Sequence, residues 1–486
     1  MKKLQESSAR CFIAYMCLVF PLFFHNNYID IMQAKRLAFL FGGITFVIAM
    51  AVFGLIDHFS SKTKTQEPRP GYECLLPVVF LISWGISFGL SIDKSEAFWG
   101  YGAKCTGLFV YVVGFLCAYL LWKYLTWTPI LTWAFLFGAG IVSILQILNR
   151  WGIDPLGMYS NLIEEEKPVF ISTIGQVNYN AAFNCLIIAV LLVLFMLCEE
   201  LFSKIVFAAA LLLAYAGGIC CCSDSIYLAW IVMFYILLIY VCAHPKKWFR
   251  LVAALLLLDA AVFGVWICWS YIRQVRFWGI SALLFQMKLH WGLTILLWIF
   301  ILAGSLVWWK GRRIWKQFCI ALMVALPVTM LGVFKRTIYS WQIASEVSWT
   351  GTRFQIWEKS WRTFANAPLP NKLFGYGFNN VQQALAVAGE SQLGGEIIQD
   401  AHNIFLNSLL TSGVVGTLLL TGLLIGLLVK CIRSTGKRDV ALFGCMIIVT
   451  YFAQGMLNGP QILTEPVYMV AFGVVAGIVK GKKERD

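Results

Sequence analysis

Apolar runs close to the thickness of a bilayer recur along the whole chain, separated by short polar gaps. They fall at 10–24, 36–56, 75–90, 107–121, 130–148, 181–198, 205–222, 226–243, 251–270, 290–309, 318–334, 404–428, 440–457 and 467–479. The pattern predicts an all-α fold, a polytopic transmembrane helix bundle of about fourteen spans. One gap is far longer than the rest. Residues 335–403 form a polar insert between the eleventh and twelfth runs. Long structured loops carry function more often than connection alone requires. The expected organisation is a bundle over 1–334, a large helical loop over 335–403, and a closing bundle with a basic tail over 404–486.

Charge orients this bundle. Lys2, Lys3 and Arg10 place the N-terminus in the cytoplasm. The basic gaps at 244–250, 310–313 and 430–438 and the tail KGKKERD fall on the same side. An even number of spans then puts both termini inside. The insert lies outside, as do residues 91–104 and 149–180 and the turn Ser223-Asp224-Ser225. The net charge of +14 is accounted for by these gaps, so nucleic acid is not an expected partner. With 60% hydrophobic and 13% charged residues, the chain has roughly half the charge of a soluble domain. The first apolar run continues into the multi-span pattern, so no cleavable signal peptide is expected. The 15 cysteines sit mostly inside apolar runs without ligand spacing and read as small core residues. Paired broken helices, the usual trace of a secondary transporter, are not evident. Asp259, inside the run LLLLDAAVFG, is costly in a membrane. It reads either as functional or as a protonated or hydrogen-bonded carboxyl within the bundle.

The insert holds the candidate chemistry. Thr350-Gly351-Thr352 can cap a helix that begins near Arg353. Phe354, Trp357, Trp361 and Phe364 share one face of it, as on a helix lying along a membrane surface. Arg353 at such an N-terminus would join its guanidinium to free backbone N–H groups, a combination that suits a phosphate or diphosphate. The alternative is an arginine snorkelling to lipid headgroups. Pro368 and Pro370 end the helix, Gly375 and Gly377 make a tight turn, and Asn379 or Asn380 can cap a short helix through Ala388. Gly389 and Gly394-Gly395 break the chain again. His402 stands just before the next apolar run. A neutral imidazole there could take a proton from a hydroxyl, with Asp400 to orient it. The alternative is a capping or interfacial histidine. The outer loops contain no D-x-D and no His/Cys cluster of ligand spacing, so no metal or cofactor is expected.

Taken in order, Arg353-x-x-x-Trp357, Gly375-x-Gly377, His402-Asn403-x-x-Leu406 and Gly413-x-x-Gly416 resemble the signature of the O-antigen ligase and polymerase superfamily. FWGYGAKCTGL at 98–108, WGIDPLGM at 151–158 and STIGQVNYNAAF at 172–183 resemble its earlier outer loops. The likeness covers roughly 98 to 416. It implies a GT-C-like membrane glycosyltransferase of the bacterial inner (plasma) membrane, with an extracytoplasmic active site. The donor would be a glycan on undecaprenyl diphosphate, the acceptor a hydroxyl of a glycan, lipid or protein. The resemblance gives Arg353 to the diphosphate and His402 to activation of the acceptor. The expected reaction is attack of the acceptor hydroxyl on the anomeric carbon, with inversion.

One departure stands out. Ligases usually carry Ser-Arg at the outer end of a mid-chain helix, where this chain reads Cys222-Ser223-Asp224-Ser225. Lys104 stands where many relatives have Arg, and Arg150, Lys335 and Arg336 could compensate. Tyr376, Asn178, Asn180 and Asp224 are further candidates for sugar contacts, and Lys104, Trp357 and Asn403 for substrate binding. Two alternatives remain. A polymerase of the same superfamily would transfer to a second carrier-linked unit. A lipid-linked glycan flippase would carry its cations within helices facing a central cavity.

Overall fold

The computed structural model describes residues 1–60, 75–102, 104–223, 225–271, 294–295, 298–311, 313–322, 324, 349–433 and 438–481. Asp224, Lys335, Arg336, most of the expected span at 318–334 and the first part of that at 290–309 lie outside these residues. The helices are α1 (Lys2–Leu18), α2 (Ile31–Ser60), α3 (Leu75–Gly89), α4 (Lys94–Trp99), α5 (Leu108–Tyr124), α6 (Pro129–Arg150), α7 (Val177–Leu197), α8 (Leu201–Cys220), α9 (Ser225–Ala243) and α10 (Trp248–Tyr271). After them come α11 (Trp349–Ala365), α12 (Leu369–Phe374), α13 (Val381–Val387), α14 (Ile404–Ile432), α15 (Arg438–Gly455) and α16 (Glu465–Gly481). Among the described residues the only strands are two short antiparallel pairs: β1 (Phe170–Ile171) with β2 (Gly175–Gln176), and β3 (Gln392–Leu393) with β4 (Glu396–Ile397). By length and composition α2, α6 to α10 and α14 can cross a membrane, and shorter apolar helices accompany them. The chain is a polytopic helical membrane protein.

The chain divides into two compact units. One comprises Met1–Gly138 and Arg353–Asp486, the other Ala139–Thr352. The second unit contains a buried polar network. Asn180 is fully buried; its amide donates to the carbonyls of Ile171 (2.8 Å) and Gly175 (2.8 Å), and its oxygen accepts from Ser172 Oγ (2.6 Å) and Gln146 Nε2 (3.2 Å). In α10, Asp259 accepts a hydrogen bond from Thr294 Oγ1 at 3.0 Å, the hydrogen-bonded alternative for that carboxyl.

The first unit is organised around a break in α14. Gly413 has φ 68° and ψ −171°, a conformation outside the helical region and open essentially to glycine. The break frees helix carbonyls one turn earlier, and the Gly375-Tyr376-Gly377 turn takes them up. Tyr376 N–H donates to Leu410 O (2.8 Å), Gly377 N–H to Thr411 O (3.1 Å), and Ser87 Oγ also donates to Thr411 O (2.7 Å). The two backbones touch here. A Cβ on Gly375 would lie 2.3 Å from the Thr411 carbonyl, and one on Gly413 would lie 2.3 Å from that of Leu373.

An apolar cluster of Ile356, Val381, Leu385, Ile398 and Leu410 then packs α11, α13 and the segment after β4 onto α14. A second cluster, Phe80, Trp84, Leu108 and Phe378, fixes α3 and α5 beside the same turn. Asn380, expected to cap α13, makes no cap bond. Its amide instead accepts from Asp93 N–H (3.0 Å) and donates to Asp93 O (3.1 Å), tying the loop around α4 to the turn. Within the insert, α12 and the β3–β4 hairpin were not expected. Pro370 lies in the first turn of α12, where a missing N–H costs nothing. Gly394 and Gly395, both at positive φ, form the two-residue turn between β3 and β4.

Gly413→Ala should destabilise the protein by about 3 kcal/mol, since the side chain adds both dihedral strain and a backbone clash. Thermal unfolding of detergent-purified protein checks this; an unchanged midpoint would show that the helix break is not needed.

Candidate functional site

Residues from four separate segments of the first unit meet around Asp400. Its carboxylate is buried, with only 2% of the side chain exposed. Oδ2 lies 3.3 Å from Lys104 Nζ, and Oδ1 lies 3.3 Å from His402 Nε2 and accepts the His402 backbone N–H at 3.2 Å. Burial works against this carboxylate, but the charges of Lys104 and His402 and the hydrogen bonds they supply outweigh it, so its pKa lies below the ordinary value. A Cβ on Gly459 would meet Oδ2 at 2.6 Å, so a side chain there would press on the carboxylate.

His402 adopts a left-handed backbone with φ 45°, an uncommon conformation for a side-chain-bearing residue. It is not a capping residue. Asn403 holds that position and accepts the N–H groups of Phe405 (2.9 Å) and Leu406 (3.2 Å). The imidazole is 32% exposed, so a molecule from outside can reach it. Burial lowers its pKa first; Asp400 pulls it up, and Lys104 and Arg353 push it down, leaving it below the usual 6.5. With Nε2 turned to the carboxylate, the neutral ring carries its proton there and presents the Nδ1 lone pair.

Arg353 does not stand at the helix N-terminus. Helix α11 begins at Trp349, which puts Arg353 one turn inside it. There it shares an inward face with Ile356, Ser360 and Thr363 and is itself 6% exposed. Its Nη2 donates to Asn458 Oδ1 at 3.4 Å. The opposite face presents Phe354 and Trp361 outward, while Trp357 and Phe364 are half-buried. The buried Trp357 Nε1 has no hydrogen-bond partner among the described residues.

A pocket beside the cluster holds about 310 Å³ of empty space, open solvent included. Lys104, Thr106, Tyr111, Asn379, Asp400 and Asn407 are among its lining residues; His402 and Arg353 are not. Asp400 therefore both borders the pocket and touches the imidazole.

The other candidates divide. Tyr376 is half-buried beside the cluster's scaffold, and burial pushes its phenol up. Asn403 is not available to a substrate, because its oxygen caps α14 and its Nδ2 donates to Met456 O (3.1 Å). Asn180 is likewise consumed by the buried network already described. Asn178 accepts from Ser223 Oγ at 2.7 Å in the second unit, and Asp224 lies outside the described residues. Sequence reasoning missed the loop between α15 and α16. It supplies Asn458 to Arg353, Gly459 to Asp400, the Met456 carbonyl to Asn403 and the Ile462 N–H to Lys104 O (3.1 Å). Its signal was the turn-forming polar stretch Asn458-Gly459-Pro460-Gln461 between two apolar runs.

The fold is that of a multi-span membrane protein, and the site is a buried carboxylate, an imidazole and two cations. Residues 292–421 match the family model described as O-antigen ligase. This match supports the resemblance to the O-antigen ligase superfamily over that stretch. The matched stretch contains Arg353 and His402 but neither Lys104 nor Asn458. No curated protein matches the chain.

Asn403→Ala removes the cap of α14 and should cost about 1 kcal/mol. A lower unfolding midpoint in detergent checks it; an unchanged one would assign the cap elsewhere.

Proposed function

We propose that the protein transfers a glycan from an undecaprenyl-diphosphate carrier to an acceptor hydroxyl, without a metal, using Arg353 and His402. The observation that carries this is that Arg353 bonds Asn458, while the adjacent Gly459 packs on the Asp400 carboxylate that His402 Nε2 meets at 3.3 Å. A cation for the leaving group and a base for the nucleophile thus lie within electrostatic reach of each other.

The acceptor oxygen attacks the anomeric carbon and forms the new glycosidic bond. The bond from that carbon to the diphosphate oxygen breaks, and its electron pair leaves with the carrier diphosphate. His402 Nδ1 takes the hydroxyl proton, and Asp400 stabilises the imidazolium that results. Arg353 stabilises the charge that grows on the diphosphate. The outward aromatic residues of α11, Phe354 and Trp361, suit the headgroup level of a membrane, where the carrier's lipid tail would approach. Arg353, on a helix of the insert, and Lys104, on the loop between α4 and α5, lie outside the helices long and apolar enough to cross a membrane, which favours transfer over flipping.

Arg353→Ala should slow transfer by about 100- to 1000-fold and His402→Ala by about 100- to 10,000-fold. The assay uses purified protein with lipid-linked donor, and full activity in both variants would remove these roles. The pH dependence is also fixed in sign. Below its pKa, His402 is protonated and cannot act as base, so the acid limb of kcat/KM should fall below the ordinary imidazole value of 6.5. A bound diphosphate favours imidazolium, so the acid limb of kcat should lie at higher pH than that of kcat/KM. Coincident limbs, or one above 6.5 in kcat/KM, would speak against His402 as the base.

A further inference from the structure

We propose that Lys104 is a positioning residue for the acid–base pair, acting through Asp400 and not by touching the donor diphosphate. This rests on the reading of His402 as general base. The Lys104 side chain is only 10% exposed and Asp400 only 2%, and the two meet at 3.3 Å on the wall of the pocket. The two carboxylate oxygens are divided between partners, Oδ2 with Lys104 and Oδ1 with His402, each at 3.3 Å. The backbone under Lys104 is fixed as well, since its carbonyl accepts the Ile462 N–H at 3.1 Å. Gly459, from the same loop, closes over Oδ2.

A buried carboxylate cannot stand alone. If imidazole were its one neighbour, Asp400 would be relieved by proton uptake, on itself or on His402. A proton held on His402 removes the base. The Lys104 ammonium satisfies the carboxylate's charge permanently and so leaves the ring neutral while Oδ1 still orients it. Among the described residues, the charged groups that act on His402 are Asp400 from its own segment, Lys104 from the loop after α4 and Arg353 from α11. The loop between α15 and α16 brings the neutral Asn458.

The test uses the full chain, purified, with lipid-linked donor. Lys104→Met should lower kcat by about tenfold or more while donor KM stays within about twofold. The acid limb of kcat/KM should move to higher pH, because a positive charge that opposes imidazolium is gone. Lys104→Arg should restore both. A donor KM raised about tenfold with an unmoved acid limb would make Lys104 a donor contact and overturn the proposal, as would unchanged kinetics. Lys104→Met could fail to fold by leaving the carboxylate unpaired; Lys104→Met combined with Asp400→Asn leaves no buried charge. That double variant should be no slower than Asp400→Asn alone. A loss equal to the product of the single losses would overturn the proposal. His402→Ala separates the two ideas: activity retained there removes the general base itself, whereas an inactive His402→Ala beside a KM-only Lys104→Met removes only the role given to Lys104.

Discussion

The candidate site depends on one requirement, that the buried Asp400 carboxylate be neutralised. Taking a carboxylate out of water costs several kcal/mol unless charge and hydrogen bonds replace the water. Here the replacement comes from Lys104 on one oxygen, and from the His402 ring and backbone N–H on the other. Each partner belongs to backbone that is itself fixed. Lys104 is tied to the loop after α15, and His402 is held in a left-handed conformation directly before a capped helix. Displacing any of these elements would expose the carboxylate to an unpaired, low-dielectric setting. The charge requirement therefore holds the fold together locally as much as it prepares the chemistry.

Convergence of distant segments follows from close backbone contact at two glycines, Gly375 against Thr411 and Gly413 against Leu373. The break at Gly413 would be a defect in an isolated helix. It becomes stable because the Gly375–Gly377 turn donates N–H groups to the exposed carbonyls and because neither Gly375 nor Gly413 has a Cβ to keep the chains apart. Once α14 and this turn are locked, the apolar cluster around Ile356 and Leu410 sets α11 against α14. Arg353 lies one turn before Ile356, so the packing that buries Ile356 also points the guanidinium inward. The aromatic stripe of α11 is split: Phe354 and Trp361 face out, while Phe364 packs on this cluster and Trp357 is half-buried.

Much of this was legible in the sequence, and what was not has physical causes. Bilayer-length apolar runs announce themselves, so the helical membrane fold could be read directly. Arg353 and the Gly375–Gly377 pair stood out inside the one long polar insert, and His402 and Asn403 because they border the next apolar run. Their roles were less readable than their positions. Asn403 looked like a substrate ligand, yet an amide just before a helix is worth more as a cap, and the fold uses it so. Asn180 failed for a similar reason: a buried amide can satisfy several backbone groups at once, and nothing in its local sequence distinguishes that from sugar binding. The loop from Met456 to Thr464 was overlooked because it is short and far along the chain from the insert. Only the tertiary fold brings Asn458 to Arg353.

Side-chain amides explain how so much irregular backbone can be buried here. The turns around Gly375, His402 and Asn458 form no regular ladder, and buried N–H and C=O groups demand partners. Asn380 serves Asp93 on both its N–H and C=O, Asn407 accepts the Ala401 N–H at 3.2 Å, and Asn403 serves Phe405, Leu406 and Met456. An amide can donate and accept at once without carrying charge, so it satisfies these loops without disturbing the field around His402. Charged residues in the same places would satisfy the backbone equally well, but each would shift the imidazole's protonation. With asparagine used for scaffolding, the state of the ring is set by its burial and, among the described residues, by the charges of Asp400, Lys104 and Arg353.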